Sequence, residues 1–114
     1  MSRPIYKISP SGLWARAEAE GAFTGAAVDL ADGFVHFSTA AQVRETAARH
    51  FAEATDLKLV AVDAAALGDA LKWEPSRGGA LFPHLYAPLP LSAVIWVKDL
   101  PLGADGAHIF PPLD

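Results

Sequence analysis

The stretch DGFVHFSTAAQV, residues 32–43, has the pattern of a β-strand that passes into an α-helix. Successive side chains of an extended segment point to opposite faces, so Phe34, His36 and Ser38 share one face. The apolar side chains between them share the other. We therefore expect one face of this strand to join the core and the other to form a site.

The residues that follow this strand carry a helix-start signal. Thr39 is a good N-cap, and Gln42 three residues later completes the T-x-x-Q pattern of a capping box. A helix is predicted from Thr39 to about Ala54. Its N-terminus would offer unpaired N–H groups beside the imidazole of His36, which suits a phosphate-bearing ligand. The structural alternative is a satisfied strand histidine followed by an ordinary helix cap.

The composition limits the class of protein. The chain has 114 residues, no cysteine and a formal net charge of −4. This length predicts a single domain over residues 1–114, and the absence of cysteine fits a reducing compartment. The basic residues form no stripe that could follow a phosphate backbone, and no window is long and apolar enough to span a bilayer. We expect a cytoplasmic protein that binds neither nucleic acid nor a membrane, and the oligomeric state stays open.

The flanking segments predict the other elements of an α+β fold. Short apolar runs predict further strands at residues 5–8, 57–62, 71–73 and 93–98. A short helix is predicted up to residue 20, and residues 22–32 have the composition of a loop. Three prolines within residues 81–90 predict an ordered irregular passage in place of a central strand. The sequence thus predicts about six short strands and two main helices.

Three more segments carry candidate site residues. Glu74 is expected at the end of a short strand, and Arg77 lies in a Gly-rich loop where it would meet a phosphate or water. His84 and Tyr86 lie two residues apart, so they share a side if the backbone is extended. No two histidines have the spacing H-x-H or H-x-x-x-H, so we expect no metal.

A resemblance covers nearly the whole chain. The motifs that carry it are IYKI at residues 5–8, DGFVHFST at residues 32–39, Glu74 and FPHLY at residues 82–86. Together they resemble a small, mostly bacterial family of uncharacterised proteins. That family looks like a compact member of the ADP-ribosyltransferase-like superfamily, whose split antiparallel sheet clasps NAD between its two halves. The order of elements is similar to that of the RNA 2'-phosphotransferases.

The resemblance implies NAD-dependent transfer of ADP-ribose, with NAD as co-substrate. Glu74 would stabilise the positive charge that develops when the nicotinamide–ribose bond breaks. His36 would orient the ribose or pyrophosphate, and His84 would hydrogen-bond or shuttle a proton. The catalytic candidates are therefore His36, Glu74 and His84, and the cofactor-binding candidates are Lys7, Phe34, Ser38, Thr39, Arg77 and Tyr86.

Two other functions remain open. The same cleft would serve a non-catalytic module that binds a nucleotide or another small ligand. Alternatively, the chain is an interaction protein whose histidines complete the core. The acidic composition argues against an RNA acceptor, which leaves a small molecule, a protein or water.

Overall fold

The structure is a computed structural model that describes residues 4–113, apart from the side chain of Arg77. In chain order the helices and strands are β1 (Pro4–Pro10), α1 (Ser11–Glu20), β2 (Ala22–Phe23), α2 (Ala27–Asp32), β3 (Val35–His36), α3 (Val43–His50), β4 (Leu57–Asp63), β5 (Leu71–Ser76), β6 (Ala80–Leu85), β7 (Leu89–Pro90) and β8 (Val94–Asp99). Short 3₁₀ segments lie at Ala64–Ala70, Arg77–Gly79 and Leu91–Ala93.

The first sheet has the strand order β1-β4-β8, with β4 in the centre. Leu59, Val60, Ala61 and Val62 of β4 are fully buried. A strand that is covered on both faces has a continuous apolar run, which confirms the prediction for residues 57–62. β1 pairs with β4 along its whole length and in antiparallel orientation.

The second sheet has the strand order β3-β6-β5, with β6 in the centre. The prediction that prolines exclude a regular central strand here was therefore wrong. The carbonyl of Pro83 accepts a hydrogen bond from the N–H of Phe37 at 3.0 Å, so the ring nitrogen faces the same neighbouring strand. β3 ends at His36, so the N–H that Pro83 lacks would lie just beyond the end of the pairing between β3 and β6. The pairing of β5 with β6 loses no hydrogen bond.

A backbone bridge between Tyr6 and Ser38 joins the two larger sheets. The N–H of Tyr6 donates to the carbonyl of Ser38 at 2.8 Å, and the N–H of Ser38 donates to the carbonyl of Tyr6 at 2.9 Å. A third, two-stranded sheet pairs β2 with β7. The chain is thus a single α+β domain with antiparallel sheets, as the sequence predicted at that level.

The core confirms the predicted division of residues 34–37 into two faces. Val35, Phe37 and Leu85 pack in one buried cluster with Trp14 of α1 and Phe23 of β2. The side chains of Phe34 and His36 point to the opposite face and remain partly exposed. The segment therefore has one face against the core and one face that is partly exposed.

The helices differ from the predictions in their limits. α1 ends at Glu20 as expected, because Gly21 takes a left-handed conformation with φ 90°. The helix predicted from Thr39 begins regularly only at Val43 and ends at His50. One of the two bonds of the predicted capping box is present, because the side chain of Gln42 accepts from the N–H of Thr39 at 3.0 Å. The same side chain donates to the carbonyl of Leu81 at 2.8 Å.

The segment predicted as a loop contains β2 and α2. α2 forms because the carboxylate of Asp29 accepts from the N–H of Ala26 at 2.7 Å, which satisfies an unpaired donor of the first helical turn. Glu74 was expected at a strand end, but β5 continues to Ser76. The part of the chain that the structure describes has eight strands and three α-helices, more than were predicted.

Candidate functional site

Five of the predicted site residues meet on the open face of the second sheet. We call them the histidine cluster: Phe34, His36, Glu74, His84 and Tyr86. His36 and His84 lie directly opposite each other in the pairing of β3 with β6. The side chains two residues away along each strand point the same way. Local alternation and strand register together bring the cluster to one face.

A carboxylate anchors one end of the cluster. Oε1 of Glu74 accepts from Nδ1 of His84 at 2.8 Å and from the hydroxyl of Tyr86 at 2.7 Å. The hydrogen bond from His84, and then that from Tyr86, lowers the pKa of Glu74 below its ordinary value. The hydrogen bond to Glu74 raises the pKa of the Tyr86 phenol above its ordinary value. Within the described part of the chain, which leaves out the side chain of Arg77, Oε2 of Glu74 makes no hydrogen bond, and the Glu74 side chain is 39% exposed.

Aromatic rings link this carboxylate to the second histidine. The ring of Phe34 is stacked on His84, with centroids 4.1 Å apart and planes 29° apart. Its centroid lies 5.2 Å from that of Tyr86 and 4.6 Å from that of His36. The two histidine rings meet edge to face at 5.5 Å. The cluster therefore offers flat aromatic surface beside a fixed anionic group.

A buried ion pair supports the other end of the cluster. Asp29 is 1% exposed, and Lys7 donates to both of its carboxylate oxygens at 2.8 and 2.9 Å. Oδ1 of Asp29 also faces Nδ1 of His36 at 2.6 Å. Burial would raise the pKa of Asp29, but the hydrogen bond from His36 and the charge of Lys7 hold it well below its usual range.

The remaining ring nitrogen of His36 points outward. Nε2 of His36 lies 2.9 Å from Oδ2 of Asp32, at the end of α2. The side chain of Asp32 is 49% exposed and that of His36 is 31% exposed. An exposed carboxylate is readily displaced by a ligand group, because water replaces the lost contact. Of the two ring nitrogens of His36, Nε2 is thus the one whose partner is an exposed carboxylate.

Three other predicted residues, Lys7, Ser38 and Thr39, do not join the cluster. Ser38 is buried, and its hydroxyl is hydrogen-bonded to that of Thr46 at 2.8 Å, under α3. Thr39 lies in the turn before that helix. The strand bends toward β1 after His36, so the alternation predicted for Ser38 stops there. The side chain of Arg77 lies outside the described residues.

Sequence reasoning missed Asp29 and Asp32. Both fall in the segment that was predicted as a loop, where acidic residues are ordinary surface groups. One signal was present in the sequence, because Lys7 lies within the apolar run of a predicted strand. A lysine that is buried in such a strand needs a counter-charge. Lys7 therefore contacts the predicted His36 only through Asp29, at the back of the cluster.

No group of three or more His, Asp or Glu side chains within the described residues is arranged to hold a metal ion. Within the same residues, no helix is long and apolar enough to cross a bilayer.

Comparison with known proteins identifies the family. The family described as "Protein of unknown function (DUF952)" matches residues 8–97. The chain belongs to the DUF952 family. This match confirms the prediction, drawn from the sequence motifs, that the chain belongs to a family of uncharacterised proteins. A comparison with functionally curated proteins gives no match to this DUF952 chain.

Solved structures share the fold of this DUF952 chain. It is 54% identical to protein CC0527 from Caulobacter crescentus in its X-ray crystal structure, with a TM-score of 0.90 and 93% of each chain covered. The solution NMR structure of CC0527 is 55% identical and has a TM-score of 0.82, with 91% of this chain and 90% of that chain covered. These similarities support the overall fold.

Proposed function

We propose that this DUF952 chain is an NAD-processing enzyme of the ADP-ribosyltransferase-like type. It would break the bond between nicotinamide and ribose and pass ADP-ribose to a small molecule, a protein or water. The observation that carries the proposal is the partly exposed carboxylate of Glu74, which His84 and Tyr86 hold by one oxygen and whose other oxygen makes no hydrogen bond within the described residues. The split antiparallel sheet supports the superfamily assignment.

The residues of the cluster fit the chemical parts of NAD. The exposed ring of Tyr86 and the half-buried ring of Phe34 suit a planar nicotinamide or adenine. Nε2 of His36 suits a ribose hydroxyl or a pyrophosphate oxygen. Lys7 fits less well than the sequence implied, because its ammonium group is buried against Asp29. We therefore remove Lys7 from the proposed ligand contacts and keep it as a support of His36.

The proposed chemistry needs a fixed negative charge. Breaking the nicotinamide–ribose bond leaves the electron pair on nicotinamide and develops positive charge on the ribose. An ionised Glu74 stabilises that charge more than it stabilises the bound substrate, which is the condition for catalysis. The acceptor oxygen then bonds to the ribose carbon, and its proton passes to His84.

A second candidate is the non-catalytic ligand module. The burial of His84 favours it, because only 7% of that side chain is exposed for proton transfer. Such a module would use the same aromatic surface and the same outward nitrogen of His36, and it would bind a nucleotide without breaking any bond. The two candidates therefore differ in turnover and agree in binding.

Calorimetric titration of the purified chain with NAD and with ADP-ribose tests both candidates. Nicotinamide is measured in the same samples, with a water-only reaction and with added acceptor molecules that carry hydroxyl or amine groups. Binding with nicotinamide release supports the enzyme. Binding without release under every acceptor condition contradicts the enzyme and supports the module. Absence of binding by both ligands contradicts both.

A further inference from the structure

Asp29 occupies an unusual position behind the histidine cluster. Its carboxylate receives donors from β1, from the residue that precedes α2, and from β3. The donors are Nζ of Lys7, the N–H of Ala26, and both the N–H and Nδ1 of His36. A carboxylate this buried is stable only when its oxygens are fully hydrogen-bonded and a positive charge lies beside it.

The chain is shaped to bring this carboxylate close. Gly25 has a φ of +126°, and a Cβ atom placed on it would lie 2.8 Å from Cβ of Asp29. Only glycine adopts that backbone conformation readily and also leaves room for the aspartate. The segment before α2 therefore closes directly over Asp29.

The hydrogen bonds decide the protonation pattern of His36. An ionised carboxylate has only acceptor atoms, so Nδ1 of His36 must carry a proton to bond with it. The same rule applies to Nε2, which donates to Oδ2 of Asp32 at 2.9 Å and becomes an acceptor only for a ligand that displaces this exposed carboxylate. The backbone bond from the N–H of His36 to the same oxygen of Asp29, at 3.0 Å, fixes the ring relative to the strand.

We infer that Asp29 is a positioning residue that holds His36 with Nδ1 protonated and Nε2 turned to the ligand. Lys7 supplies the counter-charge that keeps the carboxylate in place. The role of Nε2 toward a nucleotide rests on the proposed function. The protonation of Nδ1 does not, because it follows from contacts within the chain.

Imidazole ¹⁵N–¹H correlation spectra of the unmodified chain provide the first test. His50 is exposed on α3 and serves as an unconstrained reference, and the variant H50Q assigns its signals. We expect Nδ1 of His36 to carry a proton that exchanges more slowly than the ring protons of His50. An unprotonated Nδ1 of His36 would overturn the inference.

A matched pair of double variants provides the second test. K7M/D29L replaces the buried ion pair by apolar side chains of similar size, a change that buried pairs often tolerate. K58M/D99L makes the same substitutions in the exposed pair between β4 and β8. We expect His36 to lose its Nδ1–H preference, and the dissociation constant for NAD to rise at least tenfold, in the first variant only. An unchanged His36 tautomer in a folded K7M/D29L protein contradicts the positioning role.

The two proposals fail in different ways. If Nδ1 of His36 is protonated but the unmodified chain binds neither NAD nor ADP-ribose, the proposed function fails and the positioning role of Asp29 stands. If NAD binds and Nδ1 is unprotonated, the positioning role fails and the proposed function stands.

Discussion

Oδ1 of Asp29 lies 2.6 Å from Nδ1 of His36, and this contact connects a buried ion pair to a partly exposed imidazole. Because Asp29 is also bonded to Lys7 on β1, the contact links the first sheet to the second behind the histidine cluster. The position of His36 therefore depends on both halves of the split sheet.

Replacing Glu74 by glutamine removes the negative charge and keeps the size of the side chain. We expect nicotinamide release to fall by about 10²–10³-fold, the usual effect of losing one electrostatic contact to a transition state. The matched control is E45Q, which changes an exposed glutamate paired with Arg49 on α3. Release at the unmodified rate in E74Q would remove Glu74 from the mechanism.

The lowered pKa of Glu74 also sets a pH expectation. The carboxylate must be ionised to act, and hydrogen bonds from His84 and Tyr86 keep it ionised below the ordinary glutamate value of about 4.3. The cleavage of the nicotinamide–ribose bond, which precedes the proton transfer to His84, should therefore persist as the pH falls to that value and be lost only below it. Initial rates of nicotinamide release by the folded protein, measured from about pH 3.5 to about pH 7, locate this limit.

Replacing His36 by asparagine separates the two ring nitrogens. The asparagine amide can still donate to Asp29, but it has no atom at the position of Nε2. We expect the free energy of unfolding to stay within about 1 kcal/mol of the unmodified chain, while NAD binding weakens about tenfold or more. H50N, at an exposed position, is the control. Unchanged NAD affinity in H36N would exclude Nε2 from ligand binding.

Replacing Phe34 by leucine keeps an apolar side chain but removes the flat ring that stacks on His84. We expect NAD binding to weaken by about tenfold, which corresponds to about 1.4 kcal/mol. F110L changes a partly buried aromatic ring near Arg44, away from the cluster, and should leave binding unchanged. Equal affinities of F34L and F110L would argue against a stacking role for Phe34.

Replacing Asp29 by asparagine leaves Lys7 buried without a counter-charge. We expect the free energy of unfolding at pH 7 to fall by about 3–5 kcal/mol, measured in urea, and K7M/D29L to recover part of the loss. The folded-state pKa of Asp29 is lowered, so its contribution is complete above the unfolded value of about 3.9 and is lost as the pH falls toward the folded value. The difference between D29N and the unmodified chain should therefore shrink below about pH 4. A pH-independent difference would contradict the ion pair.

Replacing Gly25 by alanine tests the close approach to Asp29. The added Cβ would lie 2.8 Å from Cβ of Asp29 in a backbone conformation with φ +126°. We expect a loss of about 1–3 kcal/mol in thermal or urea unfolding. Gly12 of α1 is the matched control, because its added Cβ meets nothing within 4 Å and should stabilise the helix by about 0.5 kcal/mol. Equal stability of G25A and G12A would contradict the close packing.

Part of the candidate site was predictable from local sequence. Phe34 and His36 were predicted on one face of a strand, and His84 with Tyr86 on one side of an extended segment. The structure agrees, because alternation is a property of the extended backbone itself. The same rule failed at Ser38, where the chain leaves β3 and bridges to Tyr6.

Other features depended on pairing between distant segments. Pro83 occupies a central strand because the adjacent ladder ends where its N–H is missing, and a sequence pattern does not contain that end point. Glu74 meets His84 only through the register of β5 with β6. Asp29 looks like a surface residue in sequence, and its burial depends on Lys7, 22 residues earlier in the chain.

The sequence by itself determined the α+β class, the buried strand at residues 57–62 and the alternating faces of β3, because periodicity and turn chemistry act between neighbouring residues. Only the tertiary structure decided that His36 and His84 stand side by side, that Glu74 joins them and that Asp29 lies behind them. These contacts arise from strand register and from the need of a buried charge for partners, and both are set by segments far apart in the chain.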